Sequence, residues 1–181
     1  MADLTTLANA KQWLGVSGST DDALLTRLIS ASSDFIKTWL SRDINQISYS
    51  SSRHGTGSIR LMLRNYPVVS ILALSIDGMV IPPSVNGSNG YVYDDFSIML
   101  IGYIFTRGIM NVALSYTAGY PTVPTEIEQA CIELVSIRYK ERDHIGQVSS
   151  AMGGQTVTYN QKDLSDSIEA TLAQYKKVLT A

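Results

Sequence analysis

A chain of 181 residues with 45% hydrophobic content is long enough for one domain with a real core, or for two small modules sharing an interface. The net charge of −2 and pI of about 5.6 argue against a general affinity for DNA phosphates or anionic membranes. No apolar run approaches the ~18 residues of a membrane span, and the N-terminus lacks the basic-then-apolar pattern of a secretory signal. Charged residues make up only 17% of the chain, so either part of the surface is covered in an assembly or the abundant Ser and Thr keep the protein in solution. The single cysteine, Cys131, allows no internal disulfide and fits a reducing cytoplasm.

In chain order, the first expected region is helical and spans 1–46. A short helix runs from Thr6 to Leu14 and stops at Gly15. After the polar turn Ser17-Gly18-Ser19, either Ser19 or Thr20 caps a second helix. Asp21 and Asp22 lie in its first turn, where carboxylates favour the positive end of the dipole. Leu24, Leu28, Ser32, Phe35 and Trp39 define one face of this helix, and Leu25, Ile29, Ile36 and Leu40 widen it. A stripe that broad calls for two covering neighbours: the first helix, and a helix later in the chain.

The middle, 47–120, has the period of strands. Ile59 to Leu63 and Leu72 to Ile76 are short β candidates, and Asp77-Gly78 before Met79 is a two-residue hairpin signal. Pro82 and Pro83 end the returning strand, and Ser84 to Gly90, with Asn86, form a loop. Tyr91 to Tyr93, Ile98 to Ile101 and Tyr103 to Phe105 give further strands. Arg107 and Gly108 mark a turn before Asn111 to Tyr116, in which Val112, Leu114 and Tyr116 share a face. Five or six such strands make an antiparallel sheet or partial barrel.

Helix returns over 121–142. Pro124 suits the first helical position, while Thr125 with Glu128 reads alternatively as a capping box; both starts remain open. Ile127, Cys131, Leu134 and Ile137 follow helical spacing. The segment 143–163, with Gly146, Gly153 and Gly154, has little hydrophobic periodicity and reads as a flexible arm. Within it, Gln155 to Tyr159 alternates and is suited to adding a strand to a neighbour's sheet. Leu164, Ile168, Leu172, Tyr175 and Leu179 then form a narrow apolar seam on a C-terminal helix, 164–181, capped by Asp163 or Ser165. A seam on a tethered helix docks either on its own bundle or on another chain. The fold class is therefore α+β: a small helical bundle with an inserted antiparallel β module, and a flexible arm leading to a C-terminal helix.

Residues for chemistry are scarce. His54 and His144 lie far apart without metal-ligand spacing, and Cys131 has no histidine partner and reads as a buried small hydrophobe. His54-Gly55-Thr56-Gly57 lacks the later glycine, lysine and following helix of a phosphate cradle. Asp94-Asp95 reads as a solvated turn rather than a cation site. No catalytic residue, cofactor or metal is expected.

The join Tyr116 to Ala130, the opening Leu4 to Val16, the block Asp21 to Ser32 and the block Arg64 to Ser70 occur in an order and spacing that resembles the head–tail connector (adaptor) family of tailed bacteriophages. The resemblance implies a structural, non-enzymatic protein located at the head–tail interface of the virion, and in the host cytoplasm during assembly. It implies a closed ring of about twelve copies beneath the portal, through whose lumen DNA passes without sequence-specific contact. In that family the C-terminal segment engages the portal, which makes Leu164, Ile168, Leu172 and Tyr175 the candidate portal-docking residues. Pro82, Pro83, Asn86, Arg107 and Gly108 are then the candidate inter-subunit or distal loops, facing a neighbouring copy or the next head-completion or tail protein. A different class, a helix-turn-helix DNA reader built from the first two helices, would present Asp21 and Asp22 to the bases, where phosphate repels them.

Overall fold

The computed structural model describes residues 2–142, 149–152, 155–158 and 164–176, the two short strand segments by backbone only. They divide into two units. One comprises residues 1–42 with 123–181, the other Asp43–Thr122.

The helical unit starts with α1 (Leu7–Leu14). The Thr6 hydroxyl accepts from the Asn9 amide at 3.2 Å, and Gly15 closes the helix in the left-handed region. Helix α2 (Asp22–Leu40) is capped by Asp21, whose side chain makes no cap hydrogen bond, so neither Ser19 nor Thr20 serves. Tyr139 instead donates its hydroxyl proton to the Asp21 carboxylate, which raises the Tyr139 pKa. The buried stripe of α2 is Leu25, Ile29, Ser32, Ser33, Ile36 and Leu40. The expected face is thus rotated: the wider set is the core, while Leu24 is exposed and Phe35 and Trp39 are half-buried at its margin. Small serines at the centre of the stripe let the facing helix approach. The Ser33 hydroxyl accepts from the Leu4 amide at 3.0 Å and lies 3.6 Å from the Cys131 thiol.

That facing helix is α3 (Thr125–Glu141), which packs against α1 and α2. Pro124 is its N-cap, so the helix begins between the two expected starts, and the Pro124 carbonyl accepts from the Ile127 and Glu128 amides, both at 3.0 Å. Glu128 makes no capping box. Its carboxylate accepts from Asn9 at 2.7 Å and from the Thr5 hydroxyl at 3.1 Å, tying α3 to the N-terminal segment. Ile127, Ala130, Cys131, Leu134 and Val135 are buried.

Helix α4 (Asp166–Ala173) follows, with the Ser165 hydroxyl accepting from the Ile168 amide at 3.3 Å. Within the segment expected to be an arm, the backbone forms an antiparallel ribbon of Ser149–Met152 with Gln155–Thr158. The rest of that segment, including His144, lies outside the described residues.

The β unit holds seven strands in two sheets. These are β1 (Ile47–Gly55), β2 (Arg60–Met62), β3 (Val68–Ile76), β4 (Met79–Val80), β5 (Gly90–Tyr93), β6 (Ser97–Ile101) and β7 (Gly108–Ala118). One sheet has the order β1-β7-β3-β4 and the other β2-β6-β5, all antiparallel, without closure into a barrel. Alternation along β7 puts Val112, Leu114 and Tyr116 inward, where they join Leu61, Leu74, Ile76, Ile98, Leu100 and Phe105 in one core. Asp77 and Gly78 both take positive φ, 51° and 82°, the geometry of a two-residue hairpin turn.

Two expectations change. β1 escaped a reading based on hydrophobic alternation because its centre is serine. Tyr103 to Phe105 is not a strand. Phe105 spends its backbone groups on the β1–β2 connection, donating to the Ser58 carbonyl at 2.9 Å and accepting from the Gly57 amide at 2.7 Å.

Candidate assembly surfaces

The candidate loops converge. The β3–β4 turn, the β6–β7 loop, the β1–β2 connection and the end of the β4–β5 loop at Gly90 lie at one end of the β unit, opposite Ile47 and Ala118. The register requires this: Gly90 faces Ile101, Gly55 faces Gly108, and Ile76 faces both Met79 and Val112. Pro82, Pro83, Asn86 and Arg107 are exposed and Gly108 is half-buried; Pro82 and Pro83 lie against Gly90 and Tyr91, Arg107 against Gly57, and Gly108 opposite Gly55.

A polar stitch makes this end rigid. The Asn111 side chain accepts from the Gly55 amide at 2.9 Å and donates to the Thr106 carbonyl at 2.9 Å and to Asp77 at 3.0 Å. Thr106 also donates its hydroxyl to Asp77, and these two donors, Thr106 first, hold the Asp77 carboxyl below the usual carboxylate range. Gly55 must be glycine, because a Cβ there would stand 1.8 Å from the Thr106 carbonyl oxygen.

Around the stitch the surface is apolar. A groove of about 740 Å³ is lined by Ile59, Met79, Ile81, Leu100, Tyr103 and Ile104, among others, with Asp77 and Thr106 as polar members. Beside it, three residues of β7 bulge past His54. Met110 adopts a φ of 54°, its amide donating to His54 Nδ1 at 3.0 Å, and Ile109 is left 86% exposed. Sequence reasoning placed only a turn at Arg107-Gly108. The available signal was the pair Ile109-Met110 directly after a turn, where polar residues are the rule.

The C-terminal seam is differently placed. Ile168 and Leu172 are buried within the chain, α4 packs on α3, and Tyr175 donates its hydroxyl to Glu126 at 2.8 Å. Leu164 and Tyr175 are half-buried. The four candidate residues therefore lie together, but Ile168 and Leu172 already have an intramolecular partner in α3. A second groove of about 420 Å³ runs along this junction, lined by Gln129, Glu133, Ile168 and Thr171, among others. Lys176 places its ammonium 4.7 Å from the centre of the Trp39 ring.

Chemistry elsewhere is absorbed by structure. Asp94 accepts from the Phe96 amide at 2.9 Å and the Ser97 amide at 2.6 Å, and pairs with Arg60 at 3.0 Å. Burial pushes the Cys131 thiol up to about 11. Among the described residues, no group of three acidic, histidine or cysteine side chains is placed to hold a metal ion. No described helix is long and apolar enough to cross a membrane. Asp22 pairs with Lys11 at 2.6 Å and Asp21 with Tyr139, so the side chains that would read DNA in a helix-turn-helix are engaged internally.

Comparison with known proteins bears on these surfaces. The chain is similar to a chain in the virion of a native gene transfer agent particle, with a TM-score of 0.60 and 17% identity over 97% of this chain and 90% of that one. Chains in the neck of the native particle, computed with C12 symmetry, and of the empty particle, computed with C6 symmetry, each align with a TM-score of 0.59 at the same identity and coverage. At that identity the likeness is one of fold. Among curated proteins none matches the chain. The sequence model described as head completion protein matches residues 3–178. The chain belongs to the head completion protein family, whose members are structural components of phage head completion.

Proposed function

We propose that this protein is the adaptor of a tailed-phage neck: a ring of about twelve copies beneath the portal that extends the DNA channel and docks the next head-completion or tail component. The observation that carries this is family membership over residues 3–178 together with near-complete structural coverage by a chain from a neck computed with C12 symmetry. A net charge of −2 is consistent with a conduit, since a lumen that gripped phosphates would impede DNA passage. The test is a mass measurement of the purified protein alone and with a portal. A ring on the portal is expected, and a monomer under both conditions would refute the proposal.

The C-terminal segment would engage the portal through Leu164, Ile168, Leu172 and Tyr175. Because α3 covers Ile168 and Leu172 in the single chain, this engagement is an exchange, in which α4 leaves α3 and carries its seam to the portal. The loop end of the β unit, with Pro82, Pro83, Asn86, Arg107 and Gly108, would face a neighbouring copy or the next component. An exposed apolar groove at that end supports this.

A further inference from the structure

The longest open strand edge and a strand pair without a sheet occur on the same chain. β1 has nine residues and pairs with β7 on one side; among the described residues no strand pairs with its other side. Natural edge strands are usually kept short or guarded by lysine or proline. β1 contains neither; its one charged residue, Arg53, and the irregularity that follows lie at its far end, and four of its residues are serine, at 48, 50, 51 and 52. The other edges do not compare. β4 has two residues and β2 three. The outer side of β5 is occupied by its own loop: the Tyr91 amide donates to Pro82 at 2.9 Å, and the Ser84 amide donates to Tyr91 at 2.8 Å.

The unattached pair is the ribbon β8 (Ser149–Met152) and β9 (Gln155–Thr158), whose strands pair with each other and, among the described residues, with no other sheet. A lone two-stranded ribbon is marginal in water and gains stability by joining a third strand. Residues 142–148 and 159–165 connect it to α3 and α4, and seven residues span at most roughly 23–25 Å. The ribbon thus has covalent reach beyond its own helices. Its composition, Ser-Ser-Ala-Met and Gln-Thr-Val-Thr, matches a serine-lined edge, where Ser and Thr form cross-strand hydrogen bonds.

We infer that the β8–β9 ribbon of one copy adds to the β1 edge of a neighbouring copy, extending that copy's four-stranded sheet. This rests on the ring proposed above. A closed head-to-tail ring needs two different, mutually complementary surfaces on every subunit, and a donor ribbon with an acceptor edge is such a pair. Affinity comes from main-chain hydrogen bonds and is insensitive to most single side-chain changes.

The test is disulfide trapping in rings assembled from the full chain with portal. Ser48→Cys, Ser50→Cys and Ser52→Cys are each combined with Thr156→Cys; the native Cys131 is buried and does not compete. At least one pair is expected to give covalent multimers on oxidation, while the single variants give none beyond dimers. An intrachain disulfide in all three pairs, or rings of full mass without crosslinks, would overturn the inference while leaving the ring standing. A second variant replaces residues 149–158 with a Gly/Ser segment of equal length. Loss of the ring with the monomer still folded is expected, and an unchanged ring mass would overturn the inference. Failure of the unmodified protein to form a ring would instead remove the ring proposal, and this inference with it.

Discussion

Leu172→Ala tests whether α4 is a docked, detachable element. Leu172 is fully buried and Ile168 is 2% exposed, and both lie on the face of α4 turned to α3. The substitution removes three carbons at ~0.8 kcal/mol each and leaves a cavity, so the loss at this junction is about 2–5 kcal/mol. If α4 detaches before the unit unfolds, global stability falls by no more than the free energy of docking α4. Trp39 reports the event, because Lys176 sits over its indole ring, whereas Trp13 is exposed and a constant background. In a denaturant titration, the Trp39 fluorescence change should move to lower denaturant in the variant, with the main far-UV transition staying in place. Coincident transitions that both shift by the full 2–5 kcal/mol would mean that α4 is an ordinary part of the helical core. The same geometry allows a pin. Gln129→Cys with Thr171→Cys, both lining the α3–α4 groove, should on oxidation block portal attachment and on reduction restore it. Equal attachment in both states would refute the exchange.

Leu134→Ala, at a fully buried position of α3, should lower global stability by about 2–5 kcal/mol in every probe at once, as measured by chemical denaturation. Asn111→Ala unties the loop end and should cost about 1–3 kcal/mol, with faster hydrogen exchange at the Gly55 and Asp77 amides and unchanged exchange in the helices. The Cys131 thiol is held at about 11, chiefly by burial, so the folded state disfavours its thiolate. Stability should therefore be constant below the unfolded-state pKa of about 8.5 and fall as pH rises toward 11, and alkylation at pH 8 should be slow until denaturant is added. Ile109→Asp should leave chain stability within about 0.5 kcal/mol, since the side chain is 86% exposed, while impairing assembly. Wild-type yield of infectious particles with Ile109→Asp would show that nothing covers this residue.

What the sequence disclosed follows from which signals are local. The α2, α3 and α4 helices were legible because their apolar residues recur at helical spacing, and Asp77-Gly78 located the hairpin because few residue pairs accept two positive φ angles. β1 was missed because Ser48, Ser50 and Ser52 face out while Tyr49, Ser51 and Arg53 are only half-buried, so it carries no hydrophobic alternation. Its strand state is imposed by β7, with which it shares continuous register from Ile47 to Arg53. The α2 stripe was misplaced for a related reason. Both Leu24 and Leu25, and both Phe35 and Ile36, are apolar, so periodicity allows two faces, and the choice is made by where α3 packs. Of the candidate site, the loops were read individually through their Gly and Pro content. That the β1–β2, β3–β4 and β6–β7 connections share one end of the β unit is a consequence of topology, which no local pattern encodes.

The backbone at that end is organised against the interest of the isolated chain. Met110 is held in the left-handed region, which costs a non-glycine residue roughly 1–2 kcal/mol. His54 and the Asn111 stitch fix that conformation, and its result is to raise Ile109 almost fully into solvent beside a groove already lined with Ile59, Met79 and Ile104. None of these contributes to the core of the β unit, and a glycine at 110 or a polar residue at 109 would suit a free monomer better. Strain and apolar exposure maintained together, beside Arg107 and Gly108, are what a surface completed by another protein would require. The seam on α4 follows the opposite logic, being covered in the single chain and exposed only by movement. Under the proposed function, the loop end is open as soon as the chain folds, whereas the seam would become available only when the portal competes with α3 for it.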